Sequence, residues 1–271
     1  MRLINRHPSR LVALTLGLIP FALLVLIYGI ASQARLAENP SDKLLPGITQ
    51  MTAAVERMAF EEDRRSGDYL MLKDTVASMK RLGMGVGIAA TLALVIGILN
   101  GTLPLFRANM TPLVSAASMV PPLAILPILF IVFGLGELSK VMLIVIGTAP
   151  VMMRDMAQRV RELPQEQLIK IQTLGANSWQ VINRMVLPQV MPRLIDSVRL
   201  GLGPAWLFLI AAEAIASTEG LGYRIFLVRR YLAMDVILPY VLWITILAII
   251  IDQCLRLINR RLFPWYNVGG N

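Results

Sequence analysis

An all-α membrane protein with six transmembrane helices is the fold class this sequence predicts, and three observations carry it. Of 271 residues, 56% are hydrophobic and 16% charged, with a mean hydropathy of +0.65; soluble domains carry nearer 25% charge. Six apolar runs punctuate the chain at close to bilayer length. Threading those runs through a membrane puts the whole +9 excess charge on one side. The single cysteine excludes a disulfide framework and a thiolate metal cluster. The single histidine, His7, leaves a metal site or catalytic triad almost nothing to be built from. In so apolar a chain, excess Lys and Arg mark cytoplasmic loops rather than nucleic-acid binding.

The first run, 11–31, contains no charge and covers roughly 31 Å at about 1.5 Å per residue. Arg2, Arg6 and Arg10 before it also resemble a signal-peptide n-region. The run is long for an h-region and Ser32-Gln33-Ala34 is a poor cleavage site, so it is read as a retained span. The second run, 83–101, is rich in Gly and Ala. The third, 112–133, is interrupted by Pro121, Pro122 and Pro127, which is tolerable only against protein or a cavity. The fourth, 138–153, is short, and the fifth is 201–217. The sixth, 236–251, is bounded by Asp235 and Asp252. An even count puts both termini on one side, and Arg256, Arg260 and Arg261 after the last run make that side cytoplasmic.

Residues 32–81 form the longest outside segment, opening with the turn-prone Glu38-Asn39-Pro40-Ser41-Asp42 and Leu45-Pro46-Gly47. Ile48, Met51, Ala54, Val55, Met58 and Ala59 then recur at helical spacing, which predicts a helix on the membrane surface or on another span. Glu61-Glu62-Asp63-Arg64-Arg65 reads as a solvated loop tip. The main cytoplasmic segment, 154–200, lacks a Gly-x-x-x-x-Gly-Lys phosphate loop, as does the rest of the chain. It reads as two short helices around Gly175. The first holds Leu163, Gln167, Lys170, Ile171 and Leu174. The second starts from an Asn177-Ser178 cap, carries Trp179, Ile182 and Val186, and ends at Leu187-Pro188. Spacing alone leaves two roles open: an elbow that carries motion to a partner, or an interfacial anchor.

This segment resembles the cytoplasmic signature loop of binding-protein-dependent ABC importer permeases. Gly175 aligns with the signature glycine, Met185 with its apolar position and Leu187-Pro188 with its ending, supported by Thr173-Leu174-Gly175-Ala176 and Trp179. The family's Glu-Ala-Ala positions are Ile169-Lys170-Ile171 here, a departure. Met119 to Pro127, Phe133 to Lys140, Trp206, Ala211-Ala212-Glu213 and Gly220-Leu221-Gly222-Tyr223 resemble the nitrate/sulfonate/taurine-type subfamily. Leu36 to Pro40 and Arg224 to Asp235 are similar to permeases beside urea-carboxylase-type genes linked to guanidine. The likeness covers about residues 75–262.

The resemblance implies a single permease domain of type I importer fold in a bacterial inner membrane. It also implies a second permease copy, two cytoplasmic ABC ATPase subunits that bind ATP and Mg, and a periplasmic solute-binding protein. No cofactor is expected in this chain, and it is not itself an enzyme. Leu168, Lys170, Ile171, Leu174, Gly175, Ala176, Trp179, Leu187 and Pro188 would form the ATPase-coupling loop. A guanidine- or urea-like solute is the preferred cargo over nitrate, sulfonate or taurine.

Glu213 is the sharpest candidate for the substrate path, because a charge within an apolar span is costly unless it faces a cavity or a partner. It either lines the path or makes a structural hydrogen bond to a neighbouring span. A carboxylate there would suit guanidinium through parallel hydrogen bonds. Trp206, Met119, Pro121, Pro122, Phe130 and Phe133 complete the candidate path and gate. Gly83, Gly87 and Gly97 are expected to admit close helix approach. Arg193, Asp196 and Arg199 are expected to pair with one another, and Cys254 to be an apolar filler. A six-span secondary carrier is the main rival; it predicts internal repeats and intramembrane charge pairs, neither of which is evident in the sequence. An intramembrane enzyme lacks a nucleophile–base pair.

Overall fold

A computed structural model describes residues 9–39, 42–63 and 67–267. Arg2, Arg6, His7, Pro40, Ser41, Arg64 and Arg65 lie outside the described residues. Helices α1 (Arg10–Glu38), α3 (Leu70–Thr102), α6 (Glu137–Arg161), α9 (Leu187–Ala216) and α11 (Met234–Leu262) are the long apolar ones. A sixth span is a bent pair: α4 (Pro104–Ala117) meets the short 3-10 turn Pro122–Ile125 and α5 (Leu126–Phe133) at 81°. The six-helix expectation therefore holds with one span broken.

The break sits where the sequence forbids continuation. Pro121 and Pro122 lack N–H donors, and a residue before proline is pushed to extended backbone; Pro121 has φ −66 and ψ 113. Pro127, expected as a third interruption, lies in the first turn of α5, where the absent N–H breaks no bond. Three expected boundaries move. The second span begins at Leu70 instead of residue 83, so the end of the expected outside segment, residues 70–81, is helix. Asp74, Ser78 and Arg81 had excluded those turns from an apolar window. The fourth extends to Arg161. Leu187-Pro188 does not end the cytoplasmic hairpin but opens α9. A π-helical turn (Ile182–Val186) precedes it, with the Leu187 N–H donating to the Ile182 carbonyl. That extra residue lets the chain pass Pro188 without losing the helix.

Helices α3, α6 and α9 form the centre. Cβ atoms added at Gly85 and Gly97 would lie 2.7 and 2.5 Å from Ile144 and Met156 of α6, and one at Gly101 would run into Val160. Gly83 and Gly87, expected at this seam, face open space instead. One core cluster gathers Leu82, Leu143, Ile144, Leu209 and Tyr240; a second, nearer the arginine-rich end, gathers Ala93, Met152, Met156, Val186 and Val190. α2 (Ile48–Ala59) is the expected amphipathic helix and packs against α3 and α11. α1 is tied down towards its C-terminal end, by Tyr28 Oη to the Pro46 carbonyl at 2.8 Å, Ser32 Oγ to the Leu45 carbonyl at 3.0 Å and Arg35 Nε to Asp42 at 2.7 Å. An apolar cleft of about 750 Å3 opens between it, α2 and α11. Cys254, expected as a filler, is exposed on α11.

Candidate functional site

Two assemblies stand out, one at each end of the bundle. At the arginine-rich end, α7 (Gln165–Thr173) runs to Gly175, whose φ of +84 needs no Cβ to accommodate. The Gly175 and Ala176 N–H groups return to the Gln172 and Ile171 carbonyls at 2.9 and 3.2 Å, closing the helix with a glycine cap. Asn177 then starts α8 (Ser178–Val181) with a capping box. The Gln180 N–H donates to Asn177 Oδ1 at 2.9 Å, and the Asn177 N–H to Gln180 Oε1 at 3.0 Å.

The loop has two faces. Leu168, Ile171, Ala176 and Leu187 are half-buried against the second core cluster, and Met185 is buried within it. Gln189 Nε2 reaches Gln167 Oε1 at 3.0 Å, tying α7 back to α9. Lys170, Gly175 and Pro188 point out, with Leu174 at 78% and Trp179 at 69% exposure. The loop is thus pinned from behind and presents apolar side chains in front. Asp196 and Arg199 behind it pair at 3.2 Å, and Arg199 also donates to Asp252 at 2.8 Å. Arg193, expected in that trio, instead stacks over Tyr266 at 4.9 Å.

At the opposite end, Asp74, Ser78 and Arg81 lie on one face of α3 and are fully buried. They organise the turn into α10 (Leu221–Arg229). The first N–H groups of a helix have no partner within it; here side chains supply them. The Gly220 N–H donates to Asp74 Oδ1 at 2.9 Å, the Leu221 N–H to Ser78 Oγ at 2.8 Å, and the Gly222 N–H to Glu213 Oε2 at 2.9 Å. Carboxylates also suit the positive end of a helix dipole. Gly220 has φ +127, and a Cβ there would lie 2.5 Å from the Glu213 carboxyl carbon.

Glu213 is fully buried. Ser78 Oγ donates to both its oxygens, at 2.8 and 2.9 Å, and Arg81 Nη1 donates at 2.7 Å. Arg81 also donates through Nε and Nη2 to Glu137, at 2.5 and 2.8 Å, and through Nη1 to the Glu219 carbonyl at 2.9 Å. Asp74 takes Arg224 Nε at 2.8 Å and Tyr240 Oη at 3.2 Å. Burial opposes the charge on Arg224, but Asp74 outweighs it and holds the guanidinium above its ordinary pKa. The expectation that Glu213 lacks an intramembrane partner is therefore corrected. The pairs join residues 132 and 150 positions apart, a separation that no local pattern reveals.

Of the remaining path candidates, Met119 is 75% exposed just before the break at Pro121 and Pro122, and Phe133 is 38% exposed at the far end of α5. Phe130 is half-buried against the first cluster. Trp206 is buried, and its indole N–H has no hydrogen-bond partner among the described residues.

A six-span helical protein with a pinned, apolar-fronted loop at its arginine-rich end is a transport permease in its architecture. Residues 83–267 match the family described as binding-protein-dependent transport system inner membrane component, and the chain belongs to that family. It is an inner-membrane, multi-pass ABC importer permease. It is 36% identical over 200 residues to the taurine transport system permease protein of Escherichia coli, covering 73% of this chain and 72% of that one. It is 28% identical over 200 residues to the bicarbonate transport system permease protein of Synechococcus elongatus, covering 73% and 72%. The fold is similar to that of an inward-facing MetNI methionine ABC transporter, with TM-score 0.57 at 20% identity over 69% of this chain and 95% of that one.

Proposed function

We propose that this permease imports a small organic sulfonate of the taurine class, driven by separate ATPase subunits seated on the loop from Gln165 to Pro188. The similarity to the taurine permease supports the cargo. A guanidine-like cargo, expected from the sequence, draws no support from the relatives. Its chemical argument also weakens, because the lone pairs of Glu213 are already engaged by Arg81, Ser78 and Gly222.

The observation that carries the coupling role is the exposure of Leu174 and Trp179 on a loop whose other face is fixed to the bundle. Such a patch is expected at a protein contact. Two copies of the permease would pair around the path, each presenting one loop to one ATPase on the cytoplasmic side. ATP and Mg would bind those subunits, and a periplasmic binding protein would load cargo at the opposite end. Closing the ATPases would draw the two loops together and reopen the path outward. In this scheme Glu213 clamps the α9–α10 turn, while Met119, Phe133 and the Pro121-Pro122 break border the path.

The test is uptake by proteoliposomes holding the permease, its ATPase and its binding protein. Labelled taurine should enter only with ATP inside, and labelled guanidinium should not. Guanidinium uptake without taurine uptake removes the cargo reading; uptake without any ATPase subunit removes the coupling reading.

A further inference from the structure

A third feature belongs neither to the loop nor to the buried network. At the arginine-rich end, α3, α4 and α6 border a polar hollow of about 190 Å3 that opens to the surface, lined by the half-buried Arg107 and the exposed Arg154 and Arg161. That is well above the roughly 10–15 Å3 that a single bridging water needs. The other polar groups at its wall include Asn100, Thr111 and Ser115.

None of the three guanidinium groups pairs with a carboxylate among the described residues. Arg107 donates through Nε and Nη2 to the Asn100 and Gly101 carbonyls at 2.9 and 2.5 Å, which orients it at the end of α3. Arg154 donates through Nη1 to Ser118 Oγ at 2.8 Å, and Arg161 through Nε to the Ala157 carbonyl at 3.3 Å. Arg107 Nη1, Arg154 Nη2 and both terminal nitrogens of Arg161 make no hydrogen bond among the described residues. The acids nearest in sequence on this side, Asp155 and Glu162, both engage Arg159, at 3.3 and 3.2 Å. Three like charges around one hollow repel each other, and an anion between them relieves that repulsion while accepting the free N–H groups. Positive charge at a membrane's inner face is ordinary; three guanidinium groups bordering one cavity without an acid is a more specific arrangement.

We propose that this cavity binds a tetrahedral oxyanion group, phosphate or sulfonate, with Arg154 and Arg161 as ligands and Arg107 as the fixed base of the site. That group could arrive on an anionic phospholipid headgroup or free in solution. The experiment uses the purified full-length permease in a non-ionic detergent. One arm titrates sodium phosphate and sodium sulfate against sodium chloride at constant ionic strength, reading the melting temperature. The other adds phosphatidylglycerol or phosphatidylcholine and counts bound lipid by native mass spectrometry. Stabilisation by phosphate or sulfate over chloride identifies a soluble ligand; retention of phosphatidylglycerol over phosphatidylcholine alone identifies a headgroup. Either result supports the site if the double variant Arg154→Gln/Arg161→Gln weakens it at least tenfold and the control Arg184→Gln changes it less than twofold. Equal weakening by the control shows diffuse surface charge and overturns the proposal. So does a response to none of the three anions, or one that the double variant leaves intact. Arg107 is left unaltered because it also secures the end of α3.

Discussion

The buried ion pair between Arg81 and Glu213 invites a quantitative test through Arg81→Met, which preserves much of the side-chain length while removing the charge. Four hydrogen bonds vanish, but they are not equal. The two to Glu137 involve a carboxylate whose side chain is 54% exposed and which keeps Lys140 at 2.9 Å; their loss costs about 1 kcal/mol or less. The bond to Glu213 is different, because that side chain is 0% exposed and has no other cation among the described residues. Ser78 and the Gly222 N–H still donate to it, yet an unneutralised buried carboxylate costs about 3–5 kcal/mol. Glu213→Gln in the Arg81→Met background removes the stranded charge and keeps an acceptor. The double variant should then recover about 2 kcal/mol relative to the sum of the singles. The assay is reversible unfolding of the purified permease in mixed micelles, followed by tryptophan fluorescence. Additivity within about 0.5 kcal/mol would refute the reasoning, since it would mean that water already screens the pair.

Further outcomes follow from single positions. Gly220→Ala should lower the melting temperature far more than Gly67→Ala, because both have positive φ but only Gly220 would press a Cβ into a carboxylate. Gly175→Ala meets nothing within 4 Å, so its destabilisation should stay at the left-handed backbone cost of about 1–2 kcal/mol in the same unfolding assay. Trp179→Glu should leave stability within about 0.5 kcal/mol, as befits an exposed position; transport-coupled ATP hydrolysis in the reconstituted complex should nevertheless fall to background. Gly97→Val should destabilise by several kcal/mol through collision with Met156, whereas Gly87→Val should be tolerated, which paired melting curves will separate.

The six spans were legible because hydropathy reports burial in lipid directly, and the loop was legible because Gly175 and Asn177 carry their own backbone chemistry. Two kinds of information were not local. Asp74, Ser78 and Arg81 read as the tail of a solvated segment, since a window of sequence cannot show that Arg224 and Glu213 neutralise them. Pro188 read as a stop, since proline usually ends a helix; the π turn that carries the chain past it leaves no compositional trace. The seam between α3 and α6 was anticipated correctly at Gly97 and misplaced at Gly83 and Gly87. Gly83 and Gly87 are as small as Gly85 and Gly101, and only the facing helix decides which of them matters.

The π turn also has a mechanical consequence. Because α9 continues from it, one helix of about 45 Å, at about 1.5 Å per residue over 30 residues and with Pro192 and Pro204 inside it, joins the loop's far side to the Glu213 clamp. A rod of that length tilted by about 5° moves its far end by about 4 Å, more than a hydrogen-bond length. If α9 moves as one body, a modest swing at its loop end is geometrically sufficient to unseat the Gly222 N–H from Glu213 some forty ångströms away.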